Sequence, residues 1–228
     1  MNANLERLAA ARDEADRLKV ELVGLHQELI RWGLVVWTAG NVSARVPGAD
    51  LFVIKPSGVA YDQLTPDQMV VCDFEGRLVE GSLKPSSDTF AHAYVYAHRP
   101  DVGGVVHTHS SYATAWAARR EPIPAVLTMM GDEFGGDIPV GPFALIGDDS
   151  IGQGIVATLA ESRSPAVLMA NHGVFTIGRD ARSAVKAAAL TEEVAKTVHL
   201  ARQLGEPVAI DPGDIDHLFD RYTNVYGQ

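Results

Sequence analysis

Gly103-Gly104-Val105-Val106-His107-Thr108-His109-Ser110 is an apolar run that ends in a His-x-His pair. Its first part reads as a buried strand. Residues two apart on a strand point to the same face, so His107 and His109 present two imidazoles side by side. Chelation of one metal ion requires that arrangement, although two histidines at a strand end also fit ordinary hydrogen bonding. A second run, Ala166-Val167-Leu168-Met169-Ala170-Asn171-His172-Gly173, repeats the theme: an apolar strand running into a histidine at a glycine turn. Three neutral imidazoles would hold Zn²⁺, or Mn²⁺, Co²⁺ or Fe²⁺, and leave a position open for a substrate oxygen. Asp88 is a candidate fourth ligand.

Working outward, apolar positions at helical spacing (Leu18, Leu22, Leu25, Leu29) predict one or two helices over 4–32, stopped near Gly33. A Gly40-Asn41 turn follows. Short strands are expected at Val42–Val46, Leu51–Lys55 and Met69–Asp73, with a helical turn at Thr65–Gln68. Further on, the pattern predicts a helix at Thr89–Arg99 with Asp88 near its N-cap, a strand at Val102–Thr108 and a helix at Ser111–Arg119. It then predicts a strand at Ala144–Ile146, a helix at Gly152–Ala160, strands at Ala166–Ala170 and Val174–Ile177, and a long helix at Ala181–Gln203. An aromatic-rich tail, 215–228, should dock on something. The result is an α/β mixture without a regular βαβ rhythm, so the sheet should be mixed or antiparallel.

The 228 residues contain no repeat or linker long enough to divide them, so one domain is expected. The chain carries 29 acidic and 19 basic side chains, a net charge of −10. An acidic surface repels nucleic acid and anionic lipid, and no apolar run is long enough to span a bilayer. The single cysteine, Cys72, lies in an apolar strand, which fits an inert buried thiol and excludes an internal disulfide. The charged helical start is unlike a signal peptide, so a cytoplasmic location is expected.

An anionic ligand would need a pocket that opposes this acidic field. Three segments offer one: Gly40-Asn41-Val42-Ser43, Lys55-Pro56-Ser57-Gly58 and Lys84-Pro85-Ser86-Ser87-Asp88. Backbone N–H groups, hydroxyls and an ammonium group suit phosphate oxygens. Ser86 and Ser87 also fall at the start of a predicted helix, where the dipole favours an anion. Each turn alone is ordinary; together they make an anion site the better reading.

These five elements, in this order, resemble the class II aldolase/adducin family over roughly residues 15–228. The resemblance implies a single domain with a three-layer α/β/α fold around a mostly antiparallel mixed sheet. It also implies a metal on His107, His109 and His172, zinc above all, and a homotetramer with sites at subunit interfaces. The partner would be a small phosphorylated sugar, with Asn41, Lys55, Ser57, Gly58, Ser86 and Ser87 on its phosphate. Within the family, aspartate at position 88, where the aldolases carry glutamate, resembles the branch that epimerises L-ribulose 5-phosphate at C4. Asp132, in Gly131-Asp132-Glu133-Phe134, falls on that branch's catalytic aspartate. Tyr226, in Asn224-Val225-Tyr226-Gly227-Gln228, falls on the tail tyrosine that reaches a neighbouring subunit. The resemblance thus assigns acid–base roles to Asp132 and Tyr226 and a ligand or acid–base role to Asp88. By contrast, Pro142-Phe143-Ala144-Leu145-Ile146-Gly147 looks more like the aldolase branch, which would release a free aldehyde. A non-catalytic adducin-like domain need not keep three histidines.

Overall fold

A computed structural model describes residues 11–226 together with Glu6 and Ala9, and for Tyr226 the backbone alone. The outermost parts of the predicted 4–32 helix and of the 215–228 tail lie outside the described residues. The elements in chain order are α1 (Arg12–Arg31), β1 (Asn41–Arg45), β2 (Leu51–Ile54), β3 (Val70–Asp73), β4 (Leu78–Glu80), α2 (Thr89–His98), β5 (Gly104–Thr108) and α3 (Ser111–Arg119). They continue as α4 (Thr128–Phe134), β6 (Val140–Gly141), α5 (Ser150–Ala160), β7 (Ala166–Met169), β8 (Gly173–Gly178), α6 (Ala181–Leu204) and α7 (Pro212–Arg221), closed by a π-helical turn at Tyr222–Tyr226.

The eight strands form one sheet in the order β4-β3-β2-β1-β5-β8-β7-β6. Every pairing is antiparallel except β6 with β7. Strand alternation sorts the core into layers. On one face, Val42, Ala44, Leu51, Val53, Val71 and Val106 pack against Leu18, Leu22, Leu25 and Leu29 of α1 and the first half of α6. On the other, Phe52, Ile54, Cys72, Val105, Phe175 and Ile177 pack against α2 and α5. A third cluster joins α3, α4 and the second half of α6 to the β7–β8 end. The three-layer α/β/α arrangement with a mostly antiparallel mixed sheet is therefore the observed fold. Each helix of α1's kind gains its stability from one buried stripe, since short helices are marginal alone.

Two local expectations need correction. Ala144–Ile146 forms no strand; Leu145 and Ile146 are exposed and Ile146 makes only an isolated bridge to Asp148. The pairing with β7 is made instead by Val140–Gly141. Gly131-Asp132-Glu133 lies in α4. Finally, Asn41 is not in a turn but opens β1 directly after Gly40. Cys72 is buried as expected, and burial pushes its thiol up to about 12. No helix among the described residues is long and apolar enough to cross a membrane.

Candidate active site

Registers across three central strands set the site. Asn41 of β1 faces His107 of β5, and His107 faces Phe175 of β8. The His107 ring stacks on Phe175 with centroids 4.1 Å apart. Its Nδ1–H donates to the Val174 carbonyl at 2.9 Å, which leaves the Nε2 lone pair as the ligand atom. His109 continues from the end of the same strand, and its Nε2 lies 2.8 Å from His107 Nε2. His172 follows Asn171, which takes a left-handed turn at φ +57°. The turn is tight: a Cβ on Gly173 would meet the Thr108 carbonyl at 2.6 Å. One ligand nitrogen from each of the three histidines lies within 4.8 Å of the others.

These donors fit a divalent ion. Burial lowers the His107 pKa to about 3 and shifts His109 and His172 in the same direction. All three are thus neutral at pH 7, the form that coordinates. The buried Nε2 of His172 has no hydrogen-bond partner among the described residues, which a metal-binding nitrogen would not need. The ligand atoms grouped within 4.8 Å are those of the three histidines, and Asp88 stands outside that group.

Asp88 occupies the N-cap position of α2 yet caps nothing. Its Oδ2 accepts from Asn41 Nδ2 at 2.8 Å, and Ser86 Oγ also takes a bond from Asn41 Nδ2, at 3.0 Å. Its buried Oδ1 accepts no bond. Burial alone would raise the pKa of this carboxyl. His107 and His92, where acid protonates them, together with the Asn41 hydrogen bond outweigh burial and hold it below the ordinary value, so Asp88 is ionised at pH 7.

The two Lys-Pro-Ser turns are paired with each other. Pro56 and Pro85 form an antiparallel bridge, Ser57 N–H donates to the Lys84 carbonyl, and Ser86 N–H donates to the Lys55 carbonyl. One pocket of about 320 Å³ gathers Asn41, Lys55, Ser57, Gly58, Ser86, Ser87 and Asp88 with His107 and His109. Lys55 is buried in its wall, 5.1 Å from the Tyr61 ring, and burial lowers its pKa. A buried ammonium that pairs with no carboxylate among the described residues favours an anionic ligand.

Asp132 lies elsewhere. It lines a second pocket, of about 500 Å³, with Glu133, Lys186, Tyr222 and Thr223, and its Oδ1 lies 3.6 Å from the Arg221 guanidinium. The turn ending at Tyr226 packs on the helix that carries Asp132. Asp132 and the tail therefore share one patch of the chain, apart from the pocket of the histidines.

Two buried groups behind the pocket were not distinguished by sequence from ordinary helix histidines. His26 Nε2 accepts from Val42 N–H at 3.0 Å while its Nδ1–H donates to the Leu22 carbonyl, tying α1 to the residue after Asn41. His92 Nδ1 meets Ser43 Oγ at 2.7 Å, and that hydroxyl also meets Tyr96 Oη. Only their place on the apolar face of a helix could have signalled them.

Residues 20–199 match the family described as Class II Aldolase and Adducin N-terminal domain. The chain belongs to this family. It is 42% identical to the L-ribulose-5-phosphate 4-epimerase UlaF of Salmonella paratyphi C, over 90% of this chain and 93% of that protein. Among solved structures it resembles an L-fuculose 1-phosphate aldolase, with a TM-score of 0.85 and 30% identity over 91% of this chain and 96% of the other. The L-fuculose-1-phosphate aldolase of Thermus thermophilus is similar at a TM-score of 0.66 and 25% identity, over 82% and 96% of the two chains.

Proposed function

We propose that this chain is a metal-dependent sugar-phosphate 4-epimerase that interconverts L-ribulose 5-phosphate and its C4 epimer by breaking and remaking the C3–C4 bond. The observation that carries this reading is the single pocket that unites the paired Lys-Pro-Ser turns with His107 and His109. The 42% identity to an epimerase supports the choice of reaction. Residues of the pocket divide the labour. Asn41, Lys55, Ser57, Gly58, Ser86 and Ser87 hold the phosphate and fix that end of the fragment while its aldehyde group turns. His107, His109 and His172 hold a divalent ion, most simply Zn²⁺, which supplies Lewis-acid stabilisation of negative charge beside the carbonyl. Asp88 keeps one oxygen on Asn41 and offers Oδ1 to the ion or to a substrate hydroxyl.

C–C cleavage needs a base for the C4 hydroxyl proton and an acid to return one on the opposite face. We assign these roles to Asp132 and Tyr226. Because Asp132 lines a different pocket from the histidines, we place both on the patch that one subunit of a homotetramer presents to its neighbour's site. A cytoplasmic enzyme of sugar metabolism accords with this chemistry.

The second reading is an aldolase that releases the aldehyde, favoured by the resemblance to L-fuculose 1-phosphate aldolases. The test is to incubate the Zn²⁺- or Mn²⁺-loaded protein with L-ribulose 5-phosphate and follow D-xylulose 5-phosphate. Conversion without free aldehyde supports epimerisation. Free glycolaldehyde phosphate, or lactaldehyde from L-fuculose 1-phosphate, moves the protein to the aldolase branch.

A further inference from the structure

Trp37 has a backbone φ of +60° and a side chain 88% exposed. It is the second residue of a tight turn closed by Ala39 N–H on the Val36 carbonyl at 3.2 Å. Positive φ at that position of a turn is ordinarily the province of glycine, and a bulky aromatic there is strained. The turn cannot relax freely, because Tyr61 Oη bonds the Ala39 and Gly40 carbonyls at 2.7 and 2.9 Å. Local preference and solvation both argue against tryptophan here. Strain and exposed apolar area held together in this way mark a functional position.

Trp37 also lines the pocket that holds His107 and His109. Asn41, Lys55, Ser57, Ser86, Ser87, His107 and His109 give that pocket polar groups for a phosphate and for oxygens beside an ion. A sugar phosphate stretched between these two ends also carries a chain of C–H bonds, which need apolar surface. The large apolar side chains on the wall are Val36, Trp37 and Ile146, all exposed at the rim.

We propose that Trp37 is a specificity-determining substrate contact whose indole covers the carbon chain of the phosphorylated sugar and shields it from water. This rests on the reading of the pocket as a sugar-phosphate site. It does not depend on whether the bond change is epimerisation or aldol cleavage.

The experiment compares the metal-loaded wild type with Trp37→Phe and Trp37→Gly. L-ribulose 5-phosphate or L-fuculose 1-phosphate should change the intrinsic fluorescence of the wild type, while inorganic phosphate should not. The change should vanish in Trp37→Phe, where Trp32 and Trp116 remain. Trp37→Gly should raise KM for the sugar phosphate about tenfold with the inhibition constant of inorganic phosphate unchanged. Its Tm should not fall, because glycine suits the turn, and Trp37→Phe should lie between. An unchanged KM, or no fluorescence response to either sugar phosphate, overturns the proposal. So does dissociation of the oligomer in Trp37→Gly on light scattering, which would seat the indole on a neighbouring copy. If the wild type turns over neither sugar phosphate but shows the fluorescence response, the contact stands and the reaction assigned above fails.

Discussion

Asn41, the first residue of β1, donates from Nδ2 to Asp88 Oδ2 across 2.8 Å and so draws the carboxylate away from the helix it would otherwise cap. The normal task of an aspartate before a helix is to accept from the first backbone N–H groups. Here the strand register that sets Asn41 opposite His107 also sets the direction of Asp88. Asn41→Ala should therefore lower kcat/KM by about 10²-fold, the loss expected for one hydrogen bond to a charged group. Zinc content should stay near that of the wild type, because the three histidines are untouched. Steady-state kinetics with metal analysis of the same preparation checks both expectations.

Removing a histidine should act the other way round. His109 is the most exposed of the three ligands, so His109→Ala leaves the core intact while opening the ion's coordination. Metal affinity should fall by about 10²-fold or more and activity with it. Excess Zn²⁺ should restore part of the activity in His109→Ala and none in a variant that also lacks His107. Equilibrium dialysis against a chelator series measures the affinity.

The buried imidazoles behind the site predict a pH dependence of stability. His26 is held neutral by two opposed hydrogen bonds, and burial lowers its pKa to about 3; burial lowers that of His92 to about 4. In the unfolded chain both would titrate near ~6.5. Below that value the unfolded chain binds protons that the folded chain refuses, so the stabilisation present above ~6.5 is lost as pH falls toward the folded values. Each histidine contributes a slope of about 1.4 kcal/mol per pH unit in that window. His26→Leu should flatten the acid limb. It should also lower stability at pH 8 by about 1–3 kcal/mol, since Val42 N–H loses its acceptor. Urea melts at pH 5 and pH 8 distinguish the two effects.

Glycine at position 40 is fixed by a close approach as well as by its φ of +84°: a Cβ would meet the His107 carbonyl and Val35 Cγ1, both at 2.8 Å. Gly40→Ala should cost about 2–4 kcal/mol and displace Asn41 from His107, abolishing most activity. Gly33 has a similar φ of +66° but open space around it. Gly33→Ala should cost only about 1 kcal/mol and leave kinetics unchanged. Thermal melts and kinetics on the pair separate crowding at the site from backbone strain alone.

What sequence conveyed and what it hid have physical reasons. The spacing of His107 and His109 on an apolar strand is a local rule, and local rules survive folding. The Lys-Pro-Ser turns announced donors for an anion, but their pairing through Pro56 and Pro85 joins segments about thirty residues apart and leaves no local trace. Ala144–Ile146 misled because three apolar residues satisfy a strand pattern, whereas Leu145 and Ile146 remain exposed at a pocket rim. The helix carrying Asp132 was hidden by its brevity and by Gly131, which is there because a Cβ would meet Leu218 of α7 at 2.7 Å. The strained φ of Trp37 is invisible to any pattern, since tryptophan is not a turn residue.

The separation of Asp132 from the histidines within one chain gives the last prediction. If each site takes its histidines from one subunit and Asp132 with Tyr226 from the next, then without excess Zn²⁺ Asp132→Asn and His109→Ala should each be nearly inactive alone. Co-assembled, they should regain activity, because an Asp132→Asn subunit still carries the histidines and a His109→Ala neighbour still carries the aspartate. Random mixing of equal amounts in a ring should restore about a quarter of the sites. The double variant Asp132→Asn with His109→Ala should be inactive alone and, mixed equally with wild type, should leave about a quarter of the sites intact, where sites confined to one subunit would leave about half. Should the two single variants fail to complement while both assemble and mix, Asp132 must act within its own subunit. The 500 Å³ pocket it shares with Lys186 and Tyr222 would then have to open toward the metal ligands rather than face a neighbour.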